Sequence, residues 1–453
     1  PVSKISGLPL VLKPTTHWFL RFDLFKQKLS EWLLSKNWKS NVLHFASSYA
    51  EDLKMRSITR DMDWGVPVPL PHAQGKVFYV WFDAPIGYIS ATKEWAENQR
   101  EPEKWKKYWF DPKTKLVQFI GKDNIPFHAL FFPAMIMGQN QPYKLVDELP
   151  ANEFYNLEGK QFSKSDGWYI DLESFFSSFS ADQIRYTIAA NAPESQDSEF
   201  TWKDFQMRCN VELLGKYGNL VNRVLVFTKE KLSGKVPPRL GLVEEDRLFL
   251  DKIKNIVSQT EAAYASFRLR KASQLIMELA QAGNAYFDLK KPWILARNES
   301  TFSQMQTTIS CCLECLKLLA LISCPIIPQS AQKIFSMLGF KDSLEKANWY
   351  QVLESLILVG TALPDPKILF TKVEGETIVE QKKNLSSHVL KQPKKNIEVS
   401  IEDVRKLNLR VAQIIAVERV AKSKKLLKLL MDLGSEKRQI VSKKKKKITD
   451  LTS

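Results

Sequence analysis

The chain has 453 residues, of which 44% are hydrophobic and 26% are charged, so we expect a soluble globular protein of two to four domains. No run approaches the roughly 18 to 20 uninterrupted apolar residues of a membrane span, and no secretory apolar segment opens the chain. The net charge of +16 is uneven, because residues 391–453 hold 18 Lys and Arg against 7 Asp and Glu. This basic end is either a solvated tail or a surface for a polyanion such as nucleic acid.

The first 205 residues alternate between strand-like and helix-like segments. Pro9 to Lys13 is strand-like, and two amphipathic helices are predicted from Leu24 to Leu33 and from Val42 to Leu53. The β-branched and aromatic runs Val77 to Phe82 and Leu116 to Ile120 each lead into a polar or glycine-containing segment followed by a helix. Such alternation favours a parallel sheet, in which ligands bind beyond the carboxyl ends of the strands.

Mostly aromatic residues stand at the end of, or after, the two predicted strands. They are Trp81, Ala84, Pro85 and Tyr88 at the end of the first strand and beyond it, and Phe127, His128 and Phe132 after the second. Together they could line an apolar pocket with a few polar groups, which suits an unbranched thioether because sulfur packs well against aromatic rings. The alternative is that these rings simply fill a hydrophobic core.

A lysine-rich loop follows, with the sequence Gly-Lys-Gln-Phe-Ser-Lys-Ser-Asp-Gly over residues 159–167. Glycines allow a backbone to fold closely around a ligand, and lysine ammonium groups can meet phosphate oxygens as mobile point charges. An ordinary exposed turn has a similar composition and remains the alternative.

From Asp182 onward the pattern becomes helical. Apolar residues recur at three- and four-residue intervals from Val211 to Phe227, Phe267 to Leu289, Ile309 to Ile322 and Ile327 to Met337, which predicts a helix bundle. Asn219 and Arg223 lie four residues apart, on one helix face away from the apolar stripe. Pro292, beside Trp293, is expected to open or interrupt the helix after Lys291. Amide, guanidinium and indole groups can recognise unstacked bases, although a solubilising surface charge is the alternative for Arg223.

The cysteines give no sign of a disulfide framework, which indicates a reducing cytoplasm. Cys312 and Cys315 form one CxxC pair in an apolar helical run, with no second pair and no nearby histidine. A buried helix face is therefore favoured over a zinc site.

Taken in order, these segments resemble the methionyl-tRNA synthetase family of class I, and the loop at 159–167 resembles its KMSKS signature. The resemblance extends from the first residue to about Ser442. It implies that the family reaction joins methionine to ATP as methionyl-adenylate, releases pyrophosphate and transfers methionine to tRNA(Met) in protein synthesis. The implied partners are tRNA(Met), methionine and ATP with Mg²⁺, and no membrane.

The same resemblance assigns roles to individual residues. Ser163, Lys164 and Ser165 are implied to be catalytic, with Lys160 as a substitute cation, because Gln161 and Phe162 stand where the family has the lysine and methionine of KMSKS. Phe132 also departs from the tryptophan usual in the family. The remaining implied sets are ATP binding by Arg60, Gly121, Asp123 and Lys164, methionine binding by Trp81, Ala84, Pro85, Tyr88, Phe127, His128 and Phe132, and anticodon recognition by Asn219, Arg223 and Trp293. Residue-level alternatives are a surface ion pair at Arg60 and Asp61, and a solvated turn at Gly121 to Asp123.

The family pattern also predicts two losses. None of His17, His44, His72, His128 and His388 has the setting of the HIGH signature, so we expect the chain to lack the part of the catalytic domain that bears it, together with any zinc site. No metal ligands are assigned in this chain. Residues 404–415, 424–429 and 432–442 resemble the start of an OB-fold tRNA-binding module, which five lysines at 443–447 interrupt. We expect about three strands here, too few for a five-stranded barrel; a complete module would also allow a homodimer.

The predicted architecture is therefore an α/β region followed by an all-α region. We assign residues 1–205 to the C-terminal part of a Rossmann-type catalytic domain, 206–350 to a helical anticodon-binding domain, 351–397 to a linker and 398–453 to a truncated OB-fold. One rival hypothesis is a non-catalytic tRNA-binding protein, in agreement with a missing HIGH segment. The other is a class I synthetase for leucine, isoleucine, valine or cysteine, which would share the lysine loop but not the aromatic and anticodon sets together.

Overall fold

The computed structural model describes residues 8–9, 14–391, 411–420 and 426–443, and the chain divides into two compact units, 1–391 and 392–453. The side chains of residues 386–391 and 443 are not described. Most of the predicted strand at Pro9 to Lys13 and residues 404–410, 424–425 and 444–447 of the predicted C-terminal module lie outside the described residues.

The strands of the first unit are only two or three residues long. They are β1 (Phe19–Leu20), β2 (Arg56–Ser57), β3 (Thr59–Asp61), β4 (Lys76–Phe78), β5 (Ile120–Gly121), β6 (Ala151–Asn152), β7 (Tyr155–Leu157), β8 (Lys160–Gln161) and β9 (Ser198–Phe200). The pairs β5–β6 and β7–β9 are parallel, as predicted, whereas β1–β2, β3–β4 and β7–β8 are antiparallel. The described strands form separate two- and three-stranded ladders. The predicted strand from Val77 to Phe82 is wrong beyond Phe78, because a helical turn begins at Val80. The predicted strand from Leu116 to Ile120 is reduced to an isolated bridge at Val117 and the start of β5 at Ile120.

Helices surround these ladders. They are α1 (Lys26–Leu34), α2 (Ser40–Glu51), α3 (Val80–Asp83), α4 (Ile86–Asn98), α5 (Lys106–Trp109), α6 (Phe132–Met137), α7 (Leu172–Ser178), α8 (Ala181–Ala190) and α9 (Trp202–Met207), with 3-10 turns at Phe22–Phe25 and Lys122–Asn124 and a π-helical turn at Phe127–Phe131. The two predicted N-terminal helices correspond to α1 and α2. The start of α8 is fixed by a capping box, since Ser180 and Gln183 satisfy each other's backbone N–H groups.

A helix bundle follows, as predicted. It contains a π-helical segment at Arg208–Gly218, then α10 (Asn219–Lys231), α11 (Glu244–Ala265), α12 (Leu269–Lys290), α13 (Pro292–Leu295), α14 (Glu299–Ser323), α15 (Pro328–Met337), a 3-10 turn at Leu344–Lys346, α16 (Trp349–Glu354) and α17 (Gly375–Lys391). The sequence prediction missed α11, whose buried residues Phe249, Ile253, Ile256 and Val257 keep helical spacing within a strongly charged segment.

The helix α14 forms the centre of this bundle. Within the described residues it is the one helix long and apolar enough to cross a membrane, but 83% of its most apolar window is buried inside the fold. Cys311, Cys312 and Cys315 on α14 are buried free thiols, which confirms the buried-face interpretation of the CxxC pair. The bundle shares one hydrophobic core with the end of the α/β part, while α1, α2 and the turn at Phe127–Phe131 enclose a second core.

The segment predicted to be a linker is packed against the bundle over most of its length. Phe370, Val373, Ile378 and Leu385 are buried in the bundle core, and the Gln206 and Asn210 side-chain amides donate hydrogen bonds to the Val373 carbonyl oxygen. The prediction of a linker from residue 351 is therefore wrong as far as Leu385 in α17. The apolar residues of this segment are too widely spaced to form a core with each other, but they pack against apolar side chains of other helices.

The described part of the second unit is one antiparallel sheet. Its strands are β10 (Gln413–Arg419), β11 (Leu426–Asp432) and β12 (Lys437–Lys443), in the order β10–β11–β12. Because successive side chains of a strand point to opposite faces, Leu427 and Leu429 lie on the same face of β11, and both are buried. Three strands are present in the described residues, but each lies later in the chain than predicted, and β10 overlaps the first predicted strand, residues 404–415, only from Gln413 onward. The OB-fold itself stays a prediction.

Candidate functional site

Five of the residues predicted to line a pocket form aromatic contacts. The indole of Trp81, the second residue of α3, stacks on the Phe127 ring, with the ring centroids 4.4 Å apart and the ring planes inclined by 20°. The Tyr88 ring of α4 lies 5.8 Å from the His128 ring and 6.1 Å from the Phe132 ring. Trp81 and Tyr88 remain 37% and 45% exposed, so this wall faces solvent. Of the other two, Pro85 is buried at the start of α4 and Ala84 is exposed.

His128 has a defined protonation state. Its Nδ1 lies 3.0 Å from the Asn124 carbonyl oxygen, and its Nε2 lies 2.8 Å from the Tyr88 hydroxyl oxygen. Because a carbonyl oxygen can only accept, Nδ1 carries the proton and Nε2 accepts from the Tyr88 hydroxyl. Burial lowers the pKa of His128, although the hydrogen bond to Asn124 acts in the opposite direction. The pair is therefore a neutral polar element set into an aromatic wall.

Phe132 has a mainly structural environment. Its side chain is buried in a small hydrophobic cluster, and its ring lies 6.4 Å from the ring of Trp109. The ring thus supports Tyr88 from behind. Where the resembled family has tryptophan, the smaller ring is part of a closed core in this chain.

The three residues assigned to ATP binding alongside Lys164 are Arg60 on β3, Gly121 at the end of β5 and Asp123 just after it. The Arg60 guanidinium lies 3.9 Å from the centroid of the Tyr79 ring and donates a 2.7 Å hydrogen bond to the Thr59 carbonyl oxygen. A Cβ on Gly121 would come within 2.9 Å of Asp123 Oδ1, so glycine allows the carboxylate to turn back over the backbone. Asp123 is exposed and free to accept hydrogen bonds from hydroxyl groups of a ligand.

The lysine loop is a hairpin with an exposed tip. Its base is β8 paired with β7, and two backbone hydrogen bonds of 2.9 and 2.8 Å join Ser163 to Trp168. Gly159 and Gly167 adopt φ values of +78° and +67°, which glycine tolerates without steric cost.

The side chains of the lysine loop divide into two groups. The Ser163 hydroxyl donates to Asp166 Oδ2 at 2.7 Å and lies 3.1 Å from the Ser165 hydroxyl, so Ser163 is used within the loop. Lys160 is directed back to the base, with its Nζ 4.7 Å from the Trp168 ring centroid. Lys164 and Ser165 are exposed at the tip. The groups best placed to reach a phosphate chain are therefore those of Lys164 and Ser165.

The structure brings Asn219, Arg223 and Trp293 to one patch of the bundle. Arg223 donates to Asp288 Oδ1 at 2.5 Å, and its guanidinium lies 4.7 Å from the centroid of the Phe287 ring. The Trp293 ring lies 5.8 Å from the same phenyl ring. We call Asn219, Arg223, Trp293, Asn284, Phe287 and Asp288 the helix-borne cluster.

The pattern predicted Arg223 to be exposed, whereas its side chain is only 28% exposed because Phe287 and Asp288 cover it. Sequence reasoning did not identify Asn284, Phe287 and Asp288. A signal was present, since Asn284 is a polar residue on the mostly apolar buried face of α12.

No group of three or more His, Cys, Asp or Glu side chains is arranged to hold a metal ion in the part of the chain that the structure describes.

Comparison with family models divides the chain into three successive matches. Residues 1–225 match the class I tRNA synthetases (M), residues 236–389 match the anticodon binding domain of methionyl tRNA ligase, and residues 409–452 match a putative tRNA binding domain. The first match ends at residue 225 and the second begins at residue 236, so together they cover both candidate sites.

Two bacterial relatives are similar over most of the chain. The methionine–tRNA ligase of Protochlamydia amoebophila is 58% identical over 458 residues, covering 98% of this chain and 66% of the relative. That of Chlamydia pneumoniae is 47% identical, covering 83% of this chain and 69% of the relative. The chain thus spans about two thirds of the length of these relatives.

Solved structures of methionyl-tRNA synthetase from Mycobacterium tuberculosis have a similar fold. The complex with methionyl-adenylate is 26% identical, with a TM-score of 0.72, and covers 82% of this chain and 71% of its own. The apo form, at 24% identity and a TM-score of 0.70, shows similarity of fold alone. The family match from residue 1 gives no support to the expected loss of the HIGH-bearing half.

Proposed function

Because this chain belongs to the methionyl-tRNA synthetase family, we propose that it activates methionine with ATP and transfers it to tRNA(Met). The observation that carries the proposal is the aromatic wall made by the Trp81–Phe127 stack and the Tyr88–His128 pair. A thioether side chain gains from contact with aromatic faces, and a neutral hydroxyl–imidazole pair offers polar contacts without a net charge. The methionyl-adenylate bound by the Mycobacterium relative belongs to the same chemistry.

Activation requires no nucleophilic side chain. A carboxylate oxygen of methionine attacks the α-phosphorus of ATP, the bond to the bridging oxygen of the β-phosphate breaks, and pyrophosphate leaves. Negative charge grows on the phosphoryl oxygens and on the leaving group, so cations held near them lower the barrier. We assign this role to Lys164, with Ser165 beside it at the loop tip, while Mg²⁺ accompanies the substrate ATP.

Asp123 and Arg60 take the nucleotide side of the site in this proposal. The exposed Asp123 carboxylate accepts from ribose hydroxyl groups, and Gly121 leaves room for it to do so. Arg60 is already held by Tyr79 and the Thr59 carbonyl oxygen, so its guanidinium offers its remaining N–H groups from a fixed place.

In the second step a hydroxyl of the terminal ribose of tRNA attacks the aminoacyl carbonyl carbon, and AMP leaves. Recognition of the tRNA is assigned to Asn219, Arg223 and Trp293. The charge of the guanidinium suits RNA, and the exposed indole face can stack on a base.

Methionine-dependent exchange of pyrophosphate into ATP by the purified 453-residue chain tests the catalytic proposal. We expect exchange with methionine, reduced in Tyr88→Phe because His128 Nε2 then loses its donor. The matched control is Tyr350→Phe, which removes a hydroxyl from an exposed tyrosine of α16. Exchange driven by leucine, isoleucine, valine or cysteine would contradict the methionine assignment. Absence of exchange with tRNA still bound would leave recognition as the function of this chain.

A further inference from the structure

One buried amide connects the predicted base-reading side chains to the core of the bundle. Asn284 of α12 is 7% exposed. Its Nδ2 donates to the carbonyl oxygens of Lys216 and Ala280, both at 3.0 Å. Its Oδ1 accepts from Asn219 Nδ2 at 3.2 Å and from an Arg223 terminal nitrogen at 3.4 Å. The amide thus uses both donors and both acceptor positions that an asparagine has.

This arrangement permits only one orientation of the Asn284 amide. Both neighbours of Nδ2 are carbonyl oxygens, which cannot donate, so rotating the amide by half a turn would place oxygen against oxygen on one side. On the other side it would place donor against donor. Because all four hydrogen bonds would be lost together, Oδ1 points permanently toward α10.

Asn284 differs from the other contacts of Arg223 in what it touches. One turn further along α12, Asp288 forms an ion pair with the Arg223 guanidinium, and the Phe287 ring packs against it. Asn284 contacts both Asn219 and Arg223. Since Asn219 directs its Nδ2 at Asn284, its own carbonyl oxygen faces away, as an acceptor for the exocyclic amine of cytosine or adenine.

We propose that Asn284 is a positioning residue for anticodon recognition, which sets Asn219 to accept and Arg223 to donate before RNA arrives. This inference rests on the proposed function, in which Asn219, Arg223 and Trp293 contact the anticodon. Without the Asn284 oxygen, the Asn219 amide can rotate and present either its oxygen or its nitrogen, so the preference for the correct base is lost along with affinity.

The test measures binding of short RNA hairpins by the full chain, with CAU in the loop or with one of these bases exchanged. We expect Asn284→Ala to weaken binding of the CAU hairpin about tenfold or more and to reduce the preference for CAU over the exchanged loops. Asn284→Ser keeps a hydroxyl donor for the Ala280 carbonyl oxygen four residues earlier but withdraws the acceptor from α10, so its preference for CAU should fall as in Asn284→Ala. The matched control is Ser273→Ala, which removes another buried polar group of α12, bonded to the Leu269 carbonyl oxygen.

Double substitutions separate positioning from a general loss of structure. Asn284→Ala should add little to Arg223→Ala, because both remove one coupled unit, and should add fully to Trp293→Ala. Equal effects of Asn284→Ala and Ser273→Ala, or an unchanged base preference, would overturn the inference. If Asn284→Ala fails to fold, Asn284→Ser decides alone: a reduced preference for CAU supports the inference, and an unchanged preference overturns it.

The same experiment distinguishes failure of the inference from failure of the proposed function. If Asn219→Ala and Arg223→Ala weaken hairpin binding while Asn284→Ala does not, only the inference falls. If the wild-type chain binds no hairpin, or none of these variants changes binding, anticodon recognition by this patch is wrong and the inference falls with it.

Discussion

The lysine loop and the helix-borne cluster carry their candidate functional groups in opposite ways. In the loop, Lys164 and Ser165 stand exposed at the tip of a hairpin whose contacts are local. In the cluster, Arg223 is bonded to Asn284 and Asp288 from a different helix and packs on Phe287. Residues that meet in the cluster are 61 and 65 positions apart in the chain. The contacts of the Ser163 side chain at the loop tip span two or three positions, although the base of the loop is joined to the distant Glu199 through the Gly159 N–H.

This difference indicates where the cost of ordering each site falls. Side chains fixed by a folded core lose their conformational freedom when the protein folds, so a ligand meets them already oriented. Exposed lysines lose theirs when the ligand binds, and they can move with phosphate groups whose charge changes during a reaction. We therefore expect the cluster to act in recognition and the loop to act on the transition state.

The largest expected effect is on the loop. Lys164→Ala should lower the rate of pyrophosphate exchange about a hundredfold, because removing one positive charge that stabilises a transition state costs on the order of 3 kcal/mol. Binding of the CAU hairpin and the melting temperature should stay unchanged, since the side chain is exposed. The control is Lys203→Ala, an exposed lysine of α9. An equal loss in both variants would show that Lys164 has no special role.

An intermediate effect is expected in the cluster. Trp293→Ala should weaken hairpin binding by roughly 1 to 3 kcal/mol, the range for loss of one base stacked on an aromatic ring, with exchange unaltered. Phe302→Ala is the matched control, because Phe302 has the same exposed fraction of 37% in the same bundle. Fluorescence anisotropy with labelled hairpin measures both. Unchanged binding in Trp293→Ala would exclude base stacking on this indole.

The smallest effect tests the backbone of the loop. Gly159 has φ of +78° and no atom within 4 Å of an added Cβ, so Gly159→Ala should cost only the left-handed strain of about 1 to 2 kcal/mol. We expect a several-fold drop in exchange and unchanged hairpin binding.

Gly241→Ala is the matched control for this prediction. Gly241 has φ of +64° and equal space, but it lies outside the loop. If Gly241→Ala lowers the rate of exchange as much as Gly159→Ala does, the loss in Gly159→Ala reflects a general loss of stability and not a change in the loop conformation.

Much of the molecule could be predicted locally. The apolar spacing of α1, α2, α12 and α14 is a property of consecutive residues, so helices there followed from the sequence. The same holds for the buried cysteines of α14, the start of α13 at Pro292, and the position of aromatic residues directly after β4 and β5. Each depends on backbone periodicity or on proline geometry, which act over a few residues.

Other features depend on which segments dock together. The packing of Phe370 and Ile378 onto the bundle, the stacking of Trp81 on Phe127, and the contact of Asn284 with Asn219 join residues far apart in the chain. No local pattern encodes such a pair, because the partner is chosen by helix packing and by the need to satisfy buried polar groups. The sequence by itself determined the elements and the residue types of both candidate sites, and the tertiary structure decided which side chains meet and which of them are held in place.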